Sequence, residues 1–180
     1  MNKIKGLIFD LDGVLVNTKK IHFDALNLAL KKVNAKEISF KDHLNIYDGL
    51  PTSKKLSILN NKKILNKKFN SKVIKIKQEN TLKLLNKFVK FNPKIYNTFL
   101  KLSKNYKISL ATNAVKKTLD LCVKKLRINK FISYSYSNED VSRNKPHPQV
   151  YLKCLVNMAL KPSETLIFED SHHGVMAAQD

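Results

Sequence analysis

A chain of 180 residues, 43% of them hydrophobic, is long enough to bury a real core and ordinary in composition for a globular protein. No run of about 18 apolar residues occurs, which argues against a membrane-spanning helix, and Met1 to Gly6 lacks the apolar core of a signal peptide. The formal net charge is +20, from 34 Lys and Arg against 14 Asp and Glu. Only Arg127 and Arg143 are arginines, and the lysines are spread over every helical segment. Nucleic-acid sites favour arginine forks and stacking aromatics. The excess therefore reads better as the codon usage of an AT-rich genome, which also enriches Asn and Ile. A cytoplasmic monomer that binds neither nucleic acid nor membrane is the expectation.

Lys5–Asp10 reads as a first strand, with Leu7, Ile8 and Phe9 as a buried run. Thr18 is placed to cap a helix whose stripe, His22, Leu26, Ala29, Leu30 and Val33, has helical spacing. Asp48-Gly49-Leu50-Pro51-Thr52 is a turn, and Thr52 caps a short helix ending near Leu59. The Lys- and Asn-rich stretch from Asn60 to Asn70 leads into a long helix, with Ile74, Leu82, Leu85, Phe88 and Val89 expected on its buried face. Beyond Pro93 the pattern alternates. A helix runs to about Asn105, a strand over Lys107–Thr112, and a helix from Val115 to Leu126. A short apolar run follows at Phe131–Tyr134, then a helix from His147 to Leu160 and a strand at Thr165–Glu169. Strands alternating with helices predict an α/β fold with a doubly wound parallel sheet. The all-helical stretch after the first strand predicts an insert. This divides the chain into 1–17 plus 91–180 as the core and 18–90 as a helical subdomain. Cys122 and Cys154 fall among apolar helical neighbours and read as buried free thiols.

Three of the apolar runs end in polar or acidic residues. The first ends in Asp10-Leu11-Asp12-Gly13, the second in Thr112-Asn113 and the third in Glu169-Asp170, with Lys145-Pro146 between the last two. Carboxylates at the carboxyl edge of a parallel sheet lie where open α/β folds bind ligands. Unpaired buried charge costs several kcal/mol, so a cation is expected beside Asp10 and Asp12. Taken singly, Glu169-Asp170 would also suit a helix N-terminus, and Thr112 and Asn113 would suit helix caps.

In this order, the four motifs resemble the haloacid dehalogenase superfamily of phosphohydrolases, in the branch of β-phosphoglucomutase and phosphoglycolate-type phosphatases. The segment Phe9-Asp10-Leu11-Asp12-Gly13-Val14-Leu15-Val16 is similar to the first family motif, and Lys145-Pro146-His147-Pro148 to the third. The resemblance implies a Rossmann-like core with a helical cap, and a magnesium-dependent phosphohydrolase acting on a small phosphorylated metabolite through an aspartyl-phosphate. It implies Asp10 as nucleophile and Asp12 as general acid. Lys145, Thr112 and Asn113 would bind phosphate. Mg2+ would be held by Asp10, the Asp12 backbone, Asp170 and Glu169, the last either directly or through water. His22, Thr52 and Lys54 would face substrate from the cap. His172 and His173, which follow the metal motif, read as loop residues rather than ligands.

Asn17 stands where relatives usually carry aspartate and is expected to keep a hinge hydrogen bond. Relatives also continue beyond Gly174–Asp180 with the rest of that helix and a further strand, expected at a sheet edge, so a truncated product is one reading. A phosphosugar mutase on the same core is an alternative to the phosphatase. A receiver-like binding module or an inactive remnant is a second class.

Overall fold

The computed structural model describes residues 3–180. Four strands, β1 (Gly6–Phe9), β2 (Lys107–Ala111), β3 (Tyr134–Tyr136) and β4 (Thr165–Phe168), form one parallel sheet in the order β3-β2-β1-β4. The eight α-helices are α1 (Lys19–Lys31), α2 (Phe40–Asp42), α3 (Thr52–Asn61), α4 (Asn70–Phe88), α5 (Pro93–Leu102), α6 (Lys116–Leu126), α7 (Gln149–Met158) and α8 (His172–Gln179). From β1 the chain winds outward through β2 to β3, then returns to lay β4 on the other side of β1. The winding reverses at β1, and a doubly wound sheet opens its ligand crevice at such a point, beyond the carboxyl ends of the strands.

Side chains alternate across the sheet, as strand geometry requires. Leu7 and Phe9 join Ile108, Leu110, Phe99, Leu119 and Cys122 on one face, while Ile8 and Ala111 join Val150, Tyr151, Cys154 and Met158 on the other. Both cysteines are buried free thiols. β4 is an edge strand, with Leu166 and Phe168 still exposed. The apolar run expected at Phe131–Tyr134 divides in two. Asn129–Phe131 is a 3-10 turn and the strand begins at Tyr134.

Every regular element between β1 and α5 is helical. A separate apolar cluster there unites Leu26, Leu30, Tyr47, Leu56, Leu59 and Val73. Asn27 closes a loop over it, donating to and accepting from the backbone of Ile38 at 2.9 Å each way. Two expected caps are not made. Thr18 sends its hydroxyl to Asp12 instead of back to α1, and Thr52 is the first residue of α3, preceded by Pro51 at the cap position. The buried stripe of α4 is Val73, Lys77, Thr81 and Leu85, so Ile74 and Phe88 stay exposed. The apolar-only reading was misplaced because two polar residues turn inward. Asn92 caps α5 ahead of Pro93, accepting from Lys94 and Ile95. Asn17 is exposed and makes no hydrogen bond among the described residues; its neighbour Thr18 makes the contact instead. No helix among the described residues is long and apolar enough to cross a membrane.

Candidate active site

Asp10 leaves the end of β1 almost wholly buried, its N–H donating to the carbonyl of Phe168 at 2.9 Å. Gly13 makes the turn just beyond, at φ +93°, and an added Cβ would stand 2.0 Å from Asp170 Oδ2. Only glycine lets the chain turn here and leaves room for that carboxylate.

Lys145 reaches into the same point from the loop before α7. Its ammonium donates to Asp10 Oδ1 at 2.7 Å, Glu169 Oε2 at 2.6 Å and the Ala111 carbonyl at 2.9 Å. Glu169 also accepts from the Tyr151 hydroxyl at 2.6 Å and from the Ser171 amide and hydroxyl at 3.1 and 2.8 Å. Two buried carboxylates thus share one ammonium. Burial, with the Glu169 and Asp12 charges, pushes the Asp10 carboxyl up despite Lys145. Burial also disfavours an ionised Glu169, but Lys145 and its hydrogen bonds outweigh that and bring it down. Without a further cation, the spare proton of the pair belongs on Asp10. Burial and Glu169 raise the Tyr151 phenol, keeping it a donor.

The carboxylate oxygens of Asp10, Glu169 and Asp170 come within 4.8 Å of one another. An all-oxygen set of three carboxylates met by two ammonium groups, Lys145 and Lys19, still carries excess negative charge and fits a hard divalent cation such as magnesium. Glu169 has its oxygens engaged by Lys145, Tyr151 and Ser171, which suits an orienting role, whereas Asp10 and Asp170 are freer to ligate. Lys19 lies 3.0 Å from Asp170 and 3.6 Å from Asp48, tying the start of α1 to this edge.

Asp12 points toward the helical insert. It accepts a short hydrogen bond from Thr18 and lies 3.2 Å from His22 Nε2. Burial alone would raise its carboxyl, but His22, Thr18 and the Lys77 charge overcome this and hold it at about 2. Burial lowers His22, against Asp12 and with help from Lys77, so its ring is neutral near pH 7 and contributes a hydrogen bond rather than a charge.

Thr112 is buried at the end of β2. Its amide donates to the Tyr136 carbonyl at 3.0 Å in continuation of the sheet, which leaves the hydroxyl as the group of Thr112 that can meet phosphate. Its hydroxyl accepts from Ala114 and keeps its own proton to donate. Asn113 clasps Lys145 through backbone N–H and C=O, and donates to the Gly49 carbonyl at 3.0 Å. Its amide is a clamp between the two halves of the cleft.

Asp10, Asp12, His22, Thr52, Thr112, Asn113, Lys145 and Asp170 line one cleft, and Glu169 supports it from behind. Lys54 does not belong to it. That side chain is exposed, and Lys55, one residue and roughly 100° further round α3, lines the cleft instead. Lys77 of α4 lines it too. Sequence reasoning missed Lys55 and Lys77; the available signal was a lysine on each helix at an apolar spacing, Lys77 four residues from Val73 and Lys55 beside Leu56 and four from Leu59. His172 and His173 stand at the start of α8, outside the acidic cluster.

A crevice at the reversal point of a parallel sheet, floored by clustered carboxylates and one buried lysine and roofed by a helical insert, defines a hydrolase-type α/β enzyme. The profile of the haloacid dehalogenase-like hydrolases matches residues 7–180. The chain belongs to that family. It is 27% identical over 178 residues to a phosphorylated carbohydrates phosphatase of Thermotoga maritima, covering 98% of this chain and 81% of the relative. It is 26% identical over 179 residues to the pyrophosphatase PpaX of Bacillus mycoides, covering 99% and 80%. The fold superposes on a β-phosphoglucomutase from Clostridium difficile with a TM-score of 0.82 at 22% identity, over 98% of this chain and 80% of that one.

Proposed function

We propose that this enzyme is a magnesium-dependent phosphohydrolase that takes a small phosphorylated metabolite through an aspartyl-phosphate on Asp10. The observation that carries the reading is the Asp10 carboxylate, fixed at the end of β1 by Lys145 and facing a cleft shared with Asp12 and Thr112. The named phosphatase relatives support it.

Asp10, Asp170 and, through its orienting contacts, Glu169 would hold the metal, which supplies charge neutralisation for an incoming phosphoryl group. An Asp10 oxygen attacks phosphorus as the bond to the leaving oxygen breaks. Lys145 and the Thr112 hydroxyl meet the phosphoryl oxygens. Asp12, ionised in the free enzyme, takes up the proton of a substrate that enters as its phosphate monoanion and passes it to the departing alkoxide, then takes one from the water that cleaves the Asp10–phosphoryl bond. Its ionised state among Thr18 and His22 suits that second step. Lys145 keeps Asp10 as a carboxylate once a divalent cation offsets the other acids.

Release of phosphate from an aryl phosphate and from sugar phosphates, with and without magnesium, tests the reading. Activity should require magnesium and fall by about a thousandfold or more in Asp10→Asn, which removes the nucleophile. Equal turnover by Asp10→Asn would contradict it. Return of the phosphoryl group to sugar, seen as a bisphosphate intermediate, would mark a mutase instead.

A further inference from the structure

Asn113 directs its whole side-chain amide at the protein rather than at the cleft. Its Oδ1 accepts from the Lys145 N–H at 3.1 Å, and its Nδ2 donates to the Lys145 carbonyl at 3.2 Å and to the Gly49 carbonyl at 3.0 Å. A primary amide has two N–H groups, so none is left for the phosphate that the sequence pattern assigns to it. The partners also fix which end of the amide is oxygen, since one is a donor and two are acceptors. Lys145 is therefore held at both polar atoms of its own backbone, while its ammonium reaches Asp10 and Glu169. Gly49 lies in the loop of the helical insert just before α3, at φ +71°, and sits close on the floor: an added Cβ would stand 3.2 Å from Ser171 Cβ. Ser171 in turn gives its hydroxyl to Glu169 at 2.8 Å.

From this juxtaposition we infer that Asn113 is a positioning residue: the insert loop, seated on its Nδ2, fixes the amide that holds the Lys145 backbone and so sets the Lys145 ammonium at Asp10. The inference rests on the phosphohydrolase reading of this cleft and adds to it a link from the insert to the nucleophile. With Gly49 in place, one amide hydrogen goes to each carbonyl, and the amide plane cannot turn without breaking both bonds. With the loop lifted, the terminal torsion of Asn113 is soft, and the clasp on Lys145 loosens. The Lys145 ammonium has to meet acceptors at 2.6 to 2.9 Å, and a misplacement of about 1 Å can cost roughly a hundredfold in rate. Chemistry at Asp10 is thereby tied to the state in which the insert is closed over the cleft. A role confined to capping α6 would require bonds to that helix, and the Asn113 side chain makes none.

The test compares wild type, Asn113→Ala, Gly49→Ala and the double variant on an aryl phosphate with magnesium. Asn113→Ala should lower kcat/KM by about tenfold or more, the worth of the hydrogen bonds it removes. Gly49→Ala should lower it too, by pushing the loop off Ser171. The double variant should lose little more than Asn113→Ala alone, because both changes break one link. Losses that multiply are the result for an Asn113 that binds phosphate directly or merely stiffens the fold, and they would overturn the inference. Wild-type kcat/KM in Asn113→Ala would overturn it as well. Amide hydrogen exchange reads the link without substrate, with the β1 amides as the measure of global stability. Relative to these, the Lys145 N–H should exchange faster in Gly49→Ala, although the Gly49 carbonyl bonds to Asn113 and not to Lys145. The amides of Asp48 and Leu50, which bond to His43 and Tyr47, should exchange faster in Asn113→Ala. Unchanged exchange at Lys145 in a folded Gly49→Ala would break the link; if that variant does not fold, unchanged exchange at Asp48 and Leu50 in Asn113→Ala decides in the same way. Absence of any turnover by the wild type would sink the phosphohydrolase reading, and the exchange rates would still decide the link.

Discussion

At the scale of single residues, the cleft is organised by what burial does to charge. Asp10 is kept from full ionisation by burial and then by its acidic neighbours, while Asp12, against its own burial, is held ionised by His22 and Thr18. The same physics acts on His43, which is wholly buried between the rings of Phe23 and Phe40 with neither ring nitrogen partnered among the described residues. Burial first, and then the nearby Lys55 charge, lowers it from 6.5 to about 4. A lowered histidine favours folding while neutral, so its contribution is present above about pH 6.5 and is lost as the pH falls toward 4. Unfolding free energy should drop by about 2 kcal/mol between pH 7 and pH 5 on this account alone. Denaturant titrations at the two pH values should find that His43→Phe removes most of that difference; an unchanged pH dependence would refute it. Asp10, Thr112 and the Glu169-Asp170 pair stood out as polar residues that end apolar runs, whereas Lys145 stood out only through its Lys-Pro motif between two of those runs. Lys55 and Lys77 did not, since among so many lysines no single one stands out before its helix is turned.

At the scale of elements, position follows from sharp turns and helix faces. Gly13 lets β1 end beside Asp170. In Gly13→Ala the methyl would collide with the carboxylate, and the backbone would sit at positive φ with a side chain that disfavours it. Stability should fall by about 2 kcal/mol, and magnesium dependence should shift to higher concentration as Asp170 is displaced. Thermal unfolding and a magnesium titration of phosphate release check this; wild-type values in both would contradict it. Element types were legible wherever periodicity was strong, as in α1 and β1. The face of α4 was not, because Lys77 and Thr81 take inward positions that an apolar pattern assigns outward. The cap roles of Thr18 and Thr52 failed for a related reason. Capping residues are also good hydrogen-bond donors, and a buried carboxylate competes with the helix end for Thr18.

At the scale of the whole molecule, a parallel sheet that reverses its winding at β1 brings Asp10, Thr112, Lys145 and Asp170 together from segments far apart in the chain. The fold class was readable from alternation alone, since strands separated by helices have few other ways to pack. The helical insert was readable as an interruption of that alternation, but not which of its side chains meet the floor. A net charge of +20 gives the surface a field that draws anionic substrates. Raising ionic strength from about 0.01 to 0.15 M shortens the screening length from roughly 30 to 8 Å, so kcat/KM for a phosphorylated substrate should fall with little change in kcat. A salt-independent kcat/KM would contradict steering. The most direct test of the chemistry is a rapid acid quench of enzyme turning over substrate with magnesium, followed by borohydride reduction and mass spectrometry of the Asp10 peptide. Conversion of Asp10 to the reduced product in wild type, and its absence in Asp10→Asn, is the expected result. Turnover with no modification at Asp10, or with label on another residue, would contradict the phosphoaspartyl mechanism.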